Sequence, residues 1–395
     1  MIAATHKGND MAQGNLRAAG LIALVTGHCA GMLDLVALPV WVGALVERYG
    51  FSPRDAGMLA TLFLIGGVAA SLAIAPRFNR LRPKLVAVGG FGTAALIFTY
   101  AASQTAFVPL AIAHLASGVA SGAALSVVHG TIGRTANPHR TFAFAGIAIG
   151  IFGVILMGML PQILIARGGG AMFLAFAALM VLATMITFIG FPPASALTEA
   201  PSAEHSAGSL SRGVWYVILG ISVMMLNQSI IFSFVEVIGK ARGFPPGHVL
   251  AVLAALAVVN CVVVAPASIA LERRIRAEDV VRLGPTVQAA FALVVTGATA
   301  FSFWAPFALV FVGVQIFTHT FAFGLLARMD RSGRATAATP AMLMSGSALG
   351  PILGGTLAQS FGFAALGYAG VLIALISTGF FIAGCAPRKT ERTYA

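Results

Sequence analysis

The sequence predicts an all-α membrane protein with twelve transmembrane helices, arranged as two pseudo-symmetric halves of six helices. Three observations lead to this prediction: an apolar composition, long apolar runs along the whole chain, and an internal duplication. Of the 395 residues, 58% are hydrophobic and 9% are charged, and the mean hydropathy is +0.93. Soluble globular proteins carry about 25% charged residues, so this composition indicates a polytopic membrane protein.

The apolar runs are bounded by charged residues or by Pro and Gly. Each run is long enough to cross a hydrocarbon core of about 30 Å at about 1.5 Å per residue. The predicted spans cover residues 18–46, 56–76, 84–103, 107–131, 141–165, 171–191, 213–238, 248–270, 283–303, 306–327, 335–359 and 363–385.

The lysines and arginines predict the orientation of these spans. With both termini on the cytoplasmic side, the inner segments carry 19 of the 24 Lys and Arg residues and the outer segments carry 5. Positive residues concentrate in cytoplasmic loops of membrane proteins. We therefore expect a multi-pass protein of the cell inner membrane with both termini in the cytoplasm. The same distribution explains the net charge of +12 without nucleic-acid binding.

A polar segment rich in Ala, Ser and Pro, residues 192–212, predicts a cytoplasmic linker between the halves. The predicted organisation is a cytoplasmic tail (1–17), an N-terminal half (18–191), the linker, a C-terminal half (213–385) and a second cytoplasmic tail (386–395).

Short matches between the halves support a duplication. Residues 50–53 (GFSP) recur as residues 243–246 (GFPP) at an offset of 193, and residues 80–82 (RLR) recur as residues 274–276 (RIR) at an offset of 194. Each match falls at the corresponding end of a span. Parallel repeats of six spans are a transporter architecture.

With these features, the chain resembles the major facilitator superfamily over about residues 18–385. Residues 76–80 (PRFNR) are similar to the family's basic loop Asp-Arg-x-Gly-Arg, with Arg77 and Arg80 retained and Pro and Asn at the acidic and glycine positions. The resemblance implies a gating role for the two arginines. Residues 114–118 (HLASG) resemble the family's Arg-x-x-Gln-Gly element, with His114 where the family has the arginine implicated in proton transfer.

A third element lies in span 11. It resembles the glycine-proline element that exporters of the family carry in span 5, the symmetry-related helix, and it implies close helix packing. Its residues are Gly346, Gly350, Pro351, Gly354 and Gly355.

Asp34 is the first candidate for proton coupling. About a dozen mostly apolar residues flank it on either side, which places it near the middle of the bilayer, where a charge costs roughly 2.5–3.5 kcal/mol or more. An apolar setting brings a carboxyl group towards the range in which it can load and release protons. Gly27 and Gly31 share its helix face and would let another helix approach. The alternative is a carboxylate that only fixes helix packing.

His114 is the second proton-coupling candidate, because an imidazole near Asp34 would titrate together with it. The alternative is a structural histidine bonded to a backbone or serine oxygen. A substrate cavity is predicted from polar residues inside spans 7, 8 and 10, although helix-to-helix hydrogen bonds would explain each of them as well. The cavity candidates are Asn227, Gln228, Asn260, Gln315 and His319.

Glu236 and Lys240 are spaced as an i, i+4 salt pair at the outer end of span 7. The spans carry no deep Lys or Arg, which favours a neutral or cationic organic substrate over an inorganic anion. The three cysteines lie in separate segments without metal-ligand spacing, and the histidines show no catalytic spacing. The sequence thus predicts no metal, no cofactor and no enzyme.

The leading hypothesis is a secondary transporter that exchanges protons for a small organic molecule, and the resemblances in spans 4 and 11 favour export. The alternatives are a proton-driven uptake transporter and a non-transporting membrane sensor or assembly protein with the same fold. The expected partners are the substrate, protons and the lipid bilayer, and the family resemblance implies a monomer.

Overall fold

The structure, a computed structural model, describes residues 18–136, 138–193, 210–271, 274–330, 335 and 339–386. Among these residues, all regular secondary structure is helical. Parts of four predicted segments lie outside the described residues: the tail 1–17, positions 194–209 of the linker, positions 336–338 of the span 335–359, and positions 387–395 of the second tail.

The described residues of the N-terminal half form seven α-helices and a short 3₁₀ helix at Ala75–Arg80. A turn at Met32 divides the first predicted span into two helices. The helices are α1 (Ala18–Gly31), α2 (Leu33–Glu47), α3 (Pro53–Ile74), α4 (Pro83–Ala101), α5 (Phe107–Gly133), α6 (Pro138–Arg167) and α7 (Gly170–Gly190).

The C-terminal half repeats this plan, and its first span is divided as well. A π-helical turn, Asn260–Val264, joins the two helices of the eighth span. The helices are α8 (Arg212–Phe232), α9 (Val235–Ala241), α10 (Pro246–Val259), α11 (Ala265–Leu271), α12 (Ala277–Gly297), α13 (Phe301–Met329), α14 (Thr339–Ala348), α15 (Gly350–Phe361) and α16 (Ala364–Gly384).

Eleven helical segments of the described residues are long and apolar enough to cross a membrane. The remaining predicted span, 335–359, corresponds to α14 and α15, which are separated at Leu349. Pro351 lies in the first turn of α15, where its missing N–H leaves no helical donor unsatisfied and its fixed φ suits a helix start. The break therefore follows from the Gly350-Pro351 sequence.

The two ends of the helix bundle are given separate names, because the functional residues lie at different depths between them. We call the end with the turns after Glu47 and Ala241 the distal face, and the end at which α1 begins the terminal face. At the terminal face, Gly190 packs against the backbone of Ala19 and Gly213 lies close to the backbone of Gly384, so glycines allow close helix contacts there.

The two halves meet through α3 and α15 in the distal part of the bundle. A Cβ atom on Gly57 would overlap the carbonyl oxygen of Pro351, and one on Gly355 would overlap that of Pro53. The backbone N–H of Ile352 donates to Thr61 Oγ1 across the same contact at 3.0 Å. Backbone touches backbone here, so the halves are closed against each other on the distal side.

Candidate functional site

Asp34 lies in the first turn of α2, directly after the break in the first span. Its side chain is buried, with 6% of the residue exposed. The backbone N–H groups of Asp34 and Leu35 lie beside the carboxyl group, while Oδ1 has no hydrogen-bond partner. A buried carboxyl oxygen without a partner is costly unless it takes up a proton or a ligand.

Helix α5 runs close to α1 on the Asp34 side of the half. A Cβ atom on Gly27 would lie 2.9 Å from Val128 Cγ2, and one on Gly31 would lie 2.7 Å from Leu125 Cδ1. Side chains larger than hydrogen would push the two helices apart at both positions. The small residues expected to allow this approach are therefore in contact with a neighbouring helix.

His114 is buried on α5, and both of its ring nitrogens are engaged. Nδ1 lies 2.6 Å from the carbonyl oxygen of Leu110, and Trp41 Nε1 donates to Nε2 at 3.2 Å. A neutral imidazole with its proton on Nδ1 satisfies both contacts. The structure places His114 against Trp41 rather than in contact with Asp34, and Trp41 follows Asp34 by seven residues on the same face of α2.

Four amide side chains form a buried cluster inside the C-terminal half, with Gln288 of α12 at its centre. Gln288 Nε2 donates to Gln228 Oε1 at 3.0 Å and to Gln315 Oε1 at 3.1 Å, and Gln288 Oε1 accepts from Asn227 Nδ2 at 3.1 Å. The cluster joins α8, α12 and α13. Gln288 was not among the sequence candidates, although it lies within an apolar span and, like four of those five candidates, carries an amide side chain.

The amide cluster retains unused hydrogen-bonding capacity. Gln228 Nε2 and Gln315 Nε2 are donors without a partner, and Asn227 Oδ1 is an acceptor without one. Asn227 Oδ1 lies against Gly370 of α16, where a Cβ atom would be only 2.7 Å away, so Asn227 faces the interior of its own half. The amide cluster therefore has two N–H donor groups that are free to bind another molecule, and it carries no formal charge.

The other two cavity candidates lie beside the cluster's helices. Asn260 begins the π-helical turn and approaches Gly313 of α13, and its Oδ1 has no partner. His319 follows Gln315 by one helical turn, stacks on Phe323 with ring centroids 5.0 Å apart, and leaves Nδ1 without a partner. Turns of π-helix occur frequently at functional sites.

The glycine-proline element provides contact surfaces on both sides of α14 and α15. On one side, Gly346 lies against the backbone of Ser222, Gly350 against Ser229, and Gly354 against the backbone of Ile230, all on α8. On the other side, Pro351 and Gly355 touch α3 of the opposite half. The element therefore lets one span pack closely against two neighbours at once.

The two loop arginines lie on the terminal face, in the 3₁₀ helix after α3. Arg77 Nη1 donates to the carbonyl oxygen of Ala73 at 2.8 Å, and the Arg80 side chain is exposed. Phe78 between them packs against Gly130 of α5. The loop is thus anchored to its own half by Phe78 while both guanidinium groups remain at the surface.

Two histidines, His28 and His129, form a pair that lies nearer the terminal face than Asp34. His28 Nδ1 and His129 Nε2 are 2.8 Å apart, and their rings are stacked. Within the described part of the chain, no three His, Cys, Asp or Glu side chains are grouped in a way that could hold a metal ion.

Comparison with known proteins identifies the architecture. The family model described as Major Facilitator Superfamily matches residues 23–339. No curated protein sequence matches the chain.

Three solved structures show the same fold at low identity. A bacterial homologue of the human lysosomal transporter Spinster, in an inward-facing and occupied conformation, has a TM-score of 0.74 at 13% identity and covers 93% of this chain and 97% of its own. The nucleoside transporter NupG has a TM-score of 0.72 at 14% identity, with 94% and 100% covered. A D-xylose–proton symporter has a TM-score of 0.66 at 16% identity, with 92% and 97% covered.

Proposed function

Because the chain belongs to the major facilitator superfamily, a family of transporters and not of enzymes, we propose that it is a proton-coupled secondary transporter of a small organic molecule. The two halves would rock about a central site so that it faces each side of the membrane in turn. We place the termini in the cytoplasm, as the 19 to 5 distribution of basic residues supports. The inner membrane and a monomeric state are part of the same proposal. The distal face is then the outer face.

The observation that carries proton coupling is the buried carboxyl group of Asp34 with its unpartnered Oδ1. Such a group can accept a proton when water reaches it and release the proton when the site faces the other side. One protein of the same fold is by name a D-xylose–proton symporter, which supports this role.

His114 would act on Asp34 through Trp41. The His114–Trp41 hydrogen bond fixes the helix face that carries Asp34, so we assign His114 a positioning role in coupling and leave the proton itself to Asp34.

Replacing His114 by phenylalanine is expected to lower the free energy of unfolding by about 1–3 kcal/mol, because the buried Trp41 N–H loses its acceptor. Proton-driven accumulation should weaken but not disappear in this variant, because Asp34 still takes up the proton. Thermal unfolding in detergent and accumulation in vesicles would be measured side by side. An unchanged melting temperature together with lost accumulation would show that His114 itself carries the proton.

The substrate would be a neutral or cationic organic molecule that the cavity binds by hydrogen bonds. The two unused amide donors, Gln228 Nε2 and Gln315 Nε2, can bind carbonyl or hydroxyl oxygens, and Asn260 Oδ1 and His319 Nδ1 add further polar atoms. Asn227 would contribute by holding Gln288 in place.

Replacing Gln315 by leucine is expected to raise the KM for substrate about tenfold, since one hydrogen bond to the substrate is lost at similar side-chain volume. Proton coupling should remain, because Asp34 lies in the other half. The concentration dependence of initial transport rates gives KM, and the pH-driven accumulation ratio gives coupling. A change in the accumulation ratio at unchanged KM would place Gln315 outside the substrate site.

Export is the proposed direction, on the basis of the exporter-like element in α14 and α15. The test uses inside-out vesicles with an acid interior, a mixed panel of metabolites and drugs, and mass spectrometry. Accumulation that depends on the pH gradient supports proton-driven export. Accumulation only in right-side-out vesicles with an acid exterior would establish the uptake alternative. Failure in both would favour a non-transporting sensor or assembly protein.

A further inference from the structure

Three charged residues meet on the distal side where the first and seventh spans come together. Lys240 Nζ lies 2.8 Å from Glu47 Oε1 and 2.6 Å from Glu236 Oε1. The Glu236 side chain is almost fully buried, with 5% exposed, while Lys240 and Glu47 are 19% and 37% exposed. We call these residues the distal triad. The i, i+4 pair expected from the sequence is thus part of a larger arrangement.

The triad lies at the pseudo-two-fold axis that relates the halves. Glu47 and Lys240 are 193 residues apart, which is the offset of the internal duplication, so they occupy equivalent positions. Gly43 and Glu236 have the same offset, and a Cβ atom on Gly43 would lie 3.0 Å from the Glu236 carboxyl group. When two halves are related by a two-fold axis, a residue of one half can contact the equivalent residue of the other half only next to that axis. Helices α2 and α9 therefore cross at the axis.

The two ion pairs of Lys240 respond differently when the halves separate. The pair with Glu236 lies within α9 and moves with it as a unit. The pair with Glu47 joins α9 to α2, so it must break when the distal side opens. Only the Lys240–Glu47 pair therefore contributes to the free-energy difference between the closed and open states.

The triad is accessible to solvent ions. It borders a partly enclosed cavity of about 560 Å³ whose charged lining residues are Glu47, Arg48, Glu236 and Lys240. Arg48 is exposed, and Glu236 Oε2 has no partner. Because the Glu47–Lys240 pair is partly exposed, salt in the distal solution can screen it.

We propose that Lys240 is the latch of the distal gate: its bond to Glu47 across the pseudo-two-fold axis holds the outer side closed and sets how often the carrier opens outwards. This inference rests on the proposed alternating-access function. Glu236 holds the Lys240 ammonium in place beneath Glu47.

The test measures the distance between spin labels on the distal loops of the two halves. Cysteines replace the exposed residues Thr105 and Thr299, in a background with Cys29, Cys261 and Cys385 changed to serine. A short distance between the labels reports a closed distal side, and a long distance reports an open one. Replacing Glu47 by glutamine is expected to raise the ratio of long-distance to short-distance molecules about fivefold, and high salt should do the same in the parent protein.

Two further variants test the assignment to this pair. Glu236→Gln keeps the bond between the halves but loosens the Lys240 ammonium, so it should change the distance ratio less than Glu47→Gln does. The charge reversal Glu47→Lys with Lys240→Glu, made together with Glu236→Gln so that the new carboxylate does not face another one, should restore the short distance that either single reversal disturbs.

The outcomes separate the latch from the proposed function. An unchanged distance ratio in Glu47→Gln, in a protein that still shows both distances, would refute the latch and leave the transporter standing. A single distance in every variant, with and without a pH gradient, would contradict alternating access itself and the latch with it.

Discussion

Replacing Asp34 by asparagine is expected to abolish proton-driven accumulation while the protein remains folded and still exchanges substrate across the membrane. With one proton exchanged per substrate molecule, each pH unit of gradient supports about tenfold accumulation, because it is worth about 1.4 kcal/mol. Asparagine keeps the shape of aspartate but cannot take up a proton in the working pH range. Vesicles containing the variant should therefore equilibrate substrate and accumulate none.

The experiment compares net accumulation and counterflow exchange in the same vesicles. Asp279→Asn is the matched control, because Asp279 is a half-exposed carboxylate in the first turn of α12 and should not affect coupling. Asp34→Glu should retain part of the accumulation, since it keeps a titratable group. Full accumulation by Asp34→Asn would assign the proton to another residue.

Replacing Gly57 by leucine is expected to prevent closure of the distal side. Even a Cβ atom at this position would overlap the carbonyl oxygen of Pro351 in the opposite half. Overpacking of this kind costs about 1–3 kcal/mol, which would raise the ratio of open to closed carriers about fivefold to a hundredfold. Transport should fall accordingly, because the cycle requires the closed state.

Labelling from the distal side measures this effect. Thr61 is buried at the same contact and accepts from Ile352, so a cysteine at position 61 should react with an impermeant thiol reagent only when the distal side is open. The matched control is Gly89→Leu, since a Cβ atom on Gly89 meets nothing within 4 Å. Equal labelling in Gly57→Leu and the control would show that this contact does not govern closure.

Features that arise from local sequence were predictable. Apolar length and the distribution of arginines predict the spans, and i, i+4 spacing predicts the Glu236–Lys240 pair, which the structure contains. The family and the two-half fold predicted from the sequence are confirmed by the family match and the similar structures. These features depend on composition and periodicity, which a single chain displays directly.

Features that depend on how helices turn towards one another were not predicted. Whether His114 contacts Asp34 was left open by the sequence; in the structure the His114 imidazole instead accepts a hydrogen bond from Trp41. The role of Gln288 as the centre of the amide cluster requires knowing which faces of α8, α12 and α13 meet. The Glu47–Lys240 pair could have been predicted from the sequence, since the two residues are separated by the 193-residue offset of the duplication.

The central claim is that substrate movement is coupled to proton movement through a carrier whose proton site is Asp34. The most direct test reconstitutes the purified protein in liposomes that contain a pH-sensitive dye and adds a transported substrate outside without any pH gradient. The account predicts a substrate-dependent change in internal pH for the parent protein and none for Asp34→Asn. Substrate entry by the parent protein without any change in internal pH would contradict it.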